Sequence, residues 1–397
     1  MRMDPARRLA LGRLISLTGG SAAYIALIAG LYERTDSAAW VSAALFAGVI
    51  GSVLGAPAAG YLGDHFDRQR VMIATDLGSA AVAAAMAVFI DEPAALVGLF
   101  GLLAVVTSPF APASAAAMPN LVGDEAVARA NALVATTTSV GYLAGPLAGG
   151  FLLGVGVSAP TLFAIDAATF VVSAILVASI RAPFGLGRGT ESHPGVLAGV
   201  RVIRAERMLL VLTVASMASL LGMGIVNVAA YPLSIRLDGG TEGYGAMEAL
   251  LGGGGLVGAA LAARLLTPSR APAVVAVSFL VSGLGLAAAG VAPELVIALA
   301  AFAVAGAGRG LGEVAETTLV QARTHDAVRS RVFAAQDGAA HVAFSAAMVA
   351  GGLLVGLGGA RFAVEAAAAC GIAAALIASR LPEGVRDRGA DQGDRAH

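Results

Sequence analysis

Long apolar runs separated by short polar breaks fill almost the whole chain. A helix crossing the hydrocarbon core of a bilayer needs about 20 mostly apolar residues. Twelve runs meet that length, near 11–32, 38–62, 71–90, 94–117, 130–157, 160–180, 208–235, 243–266, 272–290, 293–320, 331–357 and 360–379. No stretch outside them is long enough for a soluble domain. The fold class expected is an all-α polytopic membrane protein with 12 transmembrane helices in two six-helix bundles.

The longest interior break, 181–207, marks the division. It separates an N-terminal bundle, 1–180, from a C-terminal bundle, 208–380. Within it, GVLAGVRVIRAERML is apolar on one side and basic on the other, as an amphipathic helix on the inner leaflet would be. A solvated linker is the competing reading. The tail, 381–397, is charged and glycine-rich and is expected to be disordered.

Composition agrees with the pattern. The 397 residues are 58% hydrophobic and 13% charged, against about 25% charged in soluble domains. Mean hydropathy is +0.83. A net charge of −1 argues against nucleic acid as a partner. Cys370 is the single cysteine, so an internal disulfide or cysteine metal cluster is excluded. All 25 basic residues are arginine, which reflects genome composition. With both ends inside, only Arg34, Arg236 and Arg361 fall on the outer side, and Arg309 falls within the tenth helix. That asymmetry predicts cytoplasmic termini. The basic-then-apolar start, MRMDPARRLALGRL, lacks a convincing cleavage site and is read as part of the first helix.

Two patterns carry more than topology. The first is a charged turn, GYLGDHFDRQR, over residues 60–70. The second is four-spaced glycine, which lets helix backbones approach closely in lipid. It occurs as Gly51/Gly55, Gly141/Gly145/Gly149, Gly254/Gly258 and Gly352/Gly356, every third helix, and again as Gly306/Gly310. A repeat of this kind fits a transporter built from three-helix units, with the glycines on its moving interface.

With these residues the chain resembles the major facilitator superfamily, from residue 9 to about 380. The turn resembles the family's first signature at Gly60, Leu62, Asp64, Arg68 and Arg70. The pattern GxxxGPxxGG, which marks exporters in the family, is matched by Gly141, Gly145, Pro146, Gly149 and Gly150. The segments DHFDRQRVMIATD, PNLVGDEAVARANAL and YGAMEALLGGGGLVGA are similar to the bacterial drug and siderophore exporter branch. Two positions depart from the first signature: His65 stands where arginine is usual and Asp67 where glycine is usual. The fourth helix, GLFGLLAVVTSPFAPASAAAMP, lacks the arginine that the family ties to proton transfer.

The resemblance implies a secondary transporter of the bacterial inner membrane that exports a small lipophilic or amphipathic solute by alternating access, driven by proton antiport. It implies a monomer in the lipid bilayer with no cofactor and no metal. Gly60, Asp64, Arg68 and Arg70 would form an inner gating latch, Asp64 at the start of the eleventh helix and the arginines on acids such as Asp76 or Asp124. The fifth helix would seal against the eighth on the outer side. Charged groups are costly in lipid, so Asp166, Asp337, His341, Arg309 and Glu313 are proton-coupling candidates, Asp166 foremost. Bland readings compete: Arg309 with Glu313 as a neutralising pair, Asp337 as a helix cap, Asp166 as a structural bond. Cavity candidates are Tyr24, Phe110, Met217, Asn227 and Tyr231. A lysophospholipid flippase or a metabolite importer of the same fold is an alternative function. A polytopic transferase is the alternative of another class, disfavoured because no Asp-rich metal cluster is present. No GxxxxGK[ST] loop exists to use ATP directly.

Overall fold

The computed structural model describes residues 4–123, 126–182, 184, 196–267, 269–324 and 326–382. Thirteen helices and no strand occur among them. The first group comprises α1 (Pro5–Thr35), α2 (Ala38–His65), α3 (Arg68–Val88), α4 (Pro93–Thr107), α5 (Phe110–Val122), α6 (Val127–Gly154) and α7 (Ala159–Ala178). A short α8 (Val196–Ala205) follows, then α9 (Arg207–Arg236), α10 (Gly240–Leu265), α11 (Ala271–Val291), α12 (Leu295–Arg323) and α13 (Asp326–Ala378).

One split and one fusion cancel, and the short α8 is the thirteenth helix beside the twelve spans. The fourth span is split into α4 and α5 at Ser108 and Pro109, because proline lacks the N–H that would continue the ladder. In α13 the reverse happens, since two spans run on through Gly359, whose φ of 80° is the only non-helical point. At 1.5 Å per residue, its 53 residues would extend about 80 Å, far beyond a bilayer, if it were straight. Glycine tolerates this left-handed turn at no side-chain cost. The start of α1 and the end of α13 therefore lie at one end of the assembly, the terminal end; the other is the distal end.

The packing repeats between the halves. In the first bundle α1 packs on α6 and α7, α2 on α4, and α3 on α7. In the second, α9 packs on both arms of α13, α10 on α12, and α11 on the second arm of α13. The glycine pairs follow this repeat. A Cβ on Gly51 would strike Gly101 O of α4, and one on Gly258 would strike Ala307 O of α12. Gly145 and Gly149 meet Thr18 and Ala22 of α1 in the same way. This corrects the expectation that the pairs line the moving interface: most lie inside one bundle, where lipid offers no competing gain and close backbone contact supplies cohesion. Gly356 touches nothing within 4 Å.

The buried core forks. At the distal end one apolar cluster joins both bundles, from Ile25, Leu27 and Ile28 of α1 to Val228, Tyr231 and Met247. Toward the terminal end it divides into two separate clusters. One holds Leu9, Met72 and Met118 of the first bundle, the other Leu212, Phe279 and Leu319 of the second. The bundles thus meet at the distal end and part toward the termini.

Close α10–α12 contact gives the first prediction. Gly258→Ala, which drives a methyl into a backbone carbonyl, lowers stability by about 1–3 kcal/mol. Gly252→Ala, with nothing within 4 Å, gains up to about 1 kcal/mol from helix propensity. Thermal unfolding of the two variants in detergent compares them directly.

Candidate functional site

In the cleft where the core divides, the second bundle holds a cavity of about 330 Å³. Thr213, Ser216, Met217 and Met223 reach it from α9, Phe279 from α11, and Phe333, Gln336 and Asp337 from α13. Arg309, Glu313 and Glu316 reach it from α12; their spacing of four and three puts them on one helix face. Ser216 donates its hydroxyl to Glu316 Oε2. Gln336 Nε2 donates to Thr213 Oγ1 at 3.1 Å. Glu248 of α10 interacts electrostatically with Arg309. The wall thus mixes methionine and phenylalanine side chains with hydroxyls and an amide, and its charges gather mainly on one helix face.

The structure brings together Met217, Arg309, Glu313 and Asp337 from the sequence-predicted set. His341 sits one turn further along α13, its Nδ1 3.5 Å from Asp337 Oδ2 and 2.8 Å from the Asp337 carbonyl. Asp337 lies well inside α13, which starts at Asp326, so it is no helix cap. Asp166 is elsewhere. It lies on α7 with 1% exposure, its Oδ1 3.3 Å from Thr169 Oγ1 and facing Gly20 of α1.

Three of the cavity candidates belong instead to the distal closure. Tyr24 donates to Asn227 Oδ1, and Tyr231 donates to Glu33 Oε1. Both hydrogen bonds cross between the bundles. Tyr231 also packs edge-on between Tyr32 at 5.6 Å and Tyr244 at 5.4 Å. Tyr231 and Tyr244 are fully buried. These side chains fail as cavity wall because α1, α9 and α10 converge just where they project. Phe110 is likewise buried, in the first bundle's own cluster, with the Arg13 guanidinium 5.2 Å above its ring.

Glycine seats complete the closure. A Cβ on Gly150 of α6 would meet Thr241 O at 2.6 Å and Gly245 Cα at 3.1 Å on α10. Gly352 of α13 lies against Ser42 and Ala38 of α2. Within the GxxxGPxxGG pattern the work is divided: Gly141, Gly145 and Gly149 face α1, while Gly150 faces the other bundle. The Pro146 carbonyl also lies against Gly245.

The 60–70 segment is mostly helix. α2 continues to His65 and α3 begins at Arg68, leaving Phe66 and Asp67 between them. Asp67, at the position where glycine is usual, caps α3 by accepting from the Arg70 N–H at 3.0 Å. Arg68 donates to the carbonyls of Ala116 at 2.8 Å and Phe184 at 3.4 Å, not to an acid. Ala116 lies within α5 and Phe184 follows the end of α7. Gly60 has nothing within 4 Å, and Arg70 is exposed. The Asp64 side chain and Asp124 lie outside the described residues, as do 185–195 of the central segment and 383–397 of the tail.

Sequence reasoning missed Glu33, Tyr244 and Glu248, which only tertiary contact marks out. It also passed over Arg13 as a topology signal, although eight positions into the first helix is a signal of its own. No group of three or more potential metal ligands occurs among the described residues.

The family profile described as Major Facilitator Superfamily matches residues 9–336. The enterobactin exporter EntS of Shigella boydii serotype 18 is 26% identical over 334 residues, 80% of this chain and 76% of that protein. Macrolide efflux protein A of Streptococcus pyogenes is 28% identical over 176 residues, and the match spans 43% of each chain. Among solved structures, a bacterial homologue of the lysosomal transporter Spinster in an inward-facing, unoccupied conformation superposes with a TM-score of 0.70 at 14% identity, covering 96% of both chains. A point mutant of the nucleoside transporter NupG gives 0.79 at 12% identity over 95% of this chain and all of that one. The helices, their repeat and the matched profile have one reading: this multi-pass membrane protein is a transporter that belongs to the Major Facilitator Superfamily.

Proposed function

We propose that this protein exports a small amphipathic organic solute across a bacterial cell membrane in exchange for protons, with both termini in the cytoplasm. The observation that carries the reading is the forked core. Its distal end is closed by contacts from both bundles, while the terminal end opens onto a cavity with a partly apolar wall and a charged stripe. A solute enters such a cavity from the cytoplasm, and closure at that end with release of the distal seal discharges it outside. The direction rests on the glycine–proline pattern of α6 and on likeness to proteins named as exporters. Met217, Met223, Phe279 and Phe333 give an adaptable apolar surface. Glu313, Glu316 and Asp337 supply carboxylates that exchange a proton for solute.

Asp64, Arg68 and Arg70 act as the latch of the alternate state. In the present conformation Arg68 rests on carbonyls of its own bundle. Exposed pairs of this kind contribute at most about 1 kcal/mol, which suits a gate that opens in every cycle.

Purified protein in liposomes tests the reading with a macrolide, a catecholate siderophore and a cationic dye, with and without an imposed pH gradient. Gradient-driven accumulation of at least one probe is expected, abolished by a proton ionophore. Counterflow without any response to the gradient would leave a carrier but remove the proton.

In the same assay Glu316→Gln, which keeps the partner for Ser216, is expected to retain counterflow and lose gradient-driven accumulation. Unaltered accumulation would remove Glu316 from the coupling set. Asp64→Asn is expected to lower both activities at unchanged expression, and normal rates would discard the latch.

The distal seal gives a further test. Tyr231→Phe removes the hydrogen bond to the exposed Glu33 carboxylate, which water then solvates, and loosens the seal by about 0.5–1.5 kcal/mol. Ser42→Cys, buried at the seam, should then react faster with an impermeant maleimide, in a chain whose Cys370 is replaced by alanine. An unchanged labelling rate would show that the tyrosine bond does not hold the seam.

A further inference from the structure

The first bundle hides a carboxyl that the cavity chemistry leaves unused. Asp76 of α3 is 2% exposed, and its Oδ2 has no hydrogen-bond partner among the described residues. Ser173 of α7 approaches this carboxyl, yet its Oγ also lacks a partner of normal hydrogen-bond geometry. Ser173 is held against α1, where a Cβ on Gly12 would lie 3.2 Å from that hydroxyl. The next residue, Arg13, interacts electrostatically with Asp76 and with Tyr142 of α6. Helices α1, α3 and α7 thus enclose a small polar chamber with one acid, one cation beside it and two unsatisfied oxygens.

Along α1 the nearest ionisable group to Arg13 is Arg8, about 8 Å away, where it donates to the backbone carbonyl and hydroxyl of Ser179. α4 and α5 carry none. On α7 the nearest is Asp166, seven residues or about 10 Å from Ser173. Along α3 the nearest is Arg70, about 9 Å away, and Asp64 and His65 lie beyond it at the end of α2. A buried carboxylate with an unpaired oxygen is costly unless it faces a cation or takes a proton. Arg13 has a second resting place, since its guanidinium already lies 5.2 Å from the centre of the Phe110 ring, where cations are attracted.

We propose that Asp76 is a proton-carrying carboxyl of the transport cycle, and that Arg13 is its counter-ion, exchanging between the carboxylate and the Phe110 ring. The inference rests on the proton-linked reading above. When a proton leaves hydronium and bonds to a carboxylate oxygen, Asp76 becomes neutral and Arg13 loses its anion; when the proton returns to water, the pair re-forms. Arg13 sits on α1, the helix that also carries Tyr24 and Glu33 into the distal seal. One rigid element therefore links the protonation site to the contacts that must break. The site is separate from the substrate cavity and adds a proton-carrying group to the carboxylates of the cavity wall.

Infrared difference spectra of the full chain in lipid, recorded between acidic and alkaline buffer, read protonation without any substrate. The wild type should show the carbonyl stretch of a protonated carboxylic acid. Asp76→Asn should lose a component of it and shift nothing at Asp166, while Asp76→Glu should restore one. In liposomes, with the cationic dye as probe, Asp76→Asn should keep counterflow and lose gradient-driven accumulation, with Asp76→Glu recovering part of it. A band unchanged by Asp76→Asn overturns the proposal and leaves the exporter reading intact. Wild-type liposomes with no gradient response overturn the proton-linked reading and the coupling role of Asp76 together, even if the band is lost.

Discussion

Close backbone contact at small residues is the constraint on which this bundle depends. Between helices in lipid, burying apolar surface brings little gain, because the acyl chains are as apolar as leucine. Cohesion must come from fit. Glycine permits that fit inside each bundle, where Gly51 and Gly55 bring α2 onto α4, and Gly254 and Gly258 bring α10 onto α12. Among the described residues the same device recurs between the bundles over the distal part of the helices, at Gly150 with Gly245 and at Gly352 with Ser42. Contacts of one chemical kind thus serve permanent and reversible packing, and their extent along the helices decides which.

The distal seal adds direction to that fit. Two side-chain hydrogen bonds and a row of edge-packed tyrosines cross between α1 and the second bundle. The Tyr231 and Tyr244 rings are fully buried there, while Glu33 remains exposed. At the terminal end each bundle keeps its own apolar cluster, so parting there exposes little that was shared. The asymmetry between a joined end and a parted end is a property of where the core is continuous.

Charge is distributed by the same logic. Isolated charges in the hydrocarbon cost several kcal/mol on most scales; neighbouring helices answer those at the cavity, while Asp166 is met from its own helix by Thr169. Arg309, Glu313 and Glu316 share the cavity wall, Glu248 answers Arg309, and Glu316 receives a serine hydroxyl. Arg13 lies over an aromatic face and within electrostatic reach of Asp76.

How much of this was legible depended on range. Twelve spans, their order and the doubling of the fold follow from the lengths of apolar runs, because a helix in lipid must satisfy its own backbone and so declares itself locally. The charged stripe of α12 was also readable, since spacings of three and four fix a helix face. Only the tertiary structure decided which face turned where. Tyr24, Asn227 and Tyr231 read as cavity wall and proved to be seal, Phe110 proved to be core, and the four-spaced glycines proved to bind mostly within a bundle. Asp166 and Asp76 look alike in sequence, two acids inside apolar helices, yet one has a threonine beside it and the other an arginine. Side-chain identity sets what each residue is able to do, but the partner that selects among those options arrives from a helix distant in sequence, and no local pattern encodes that meeting.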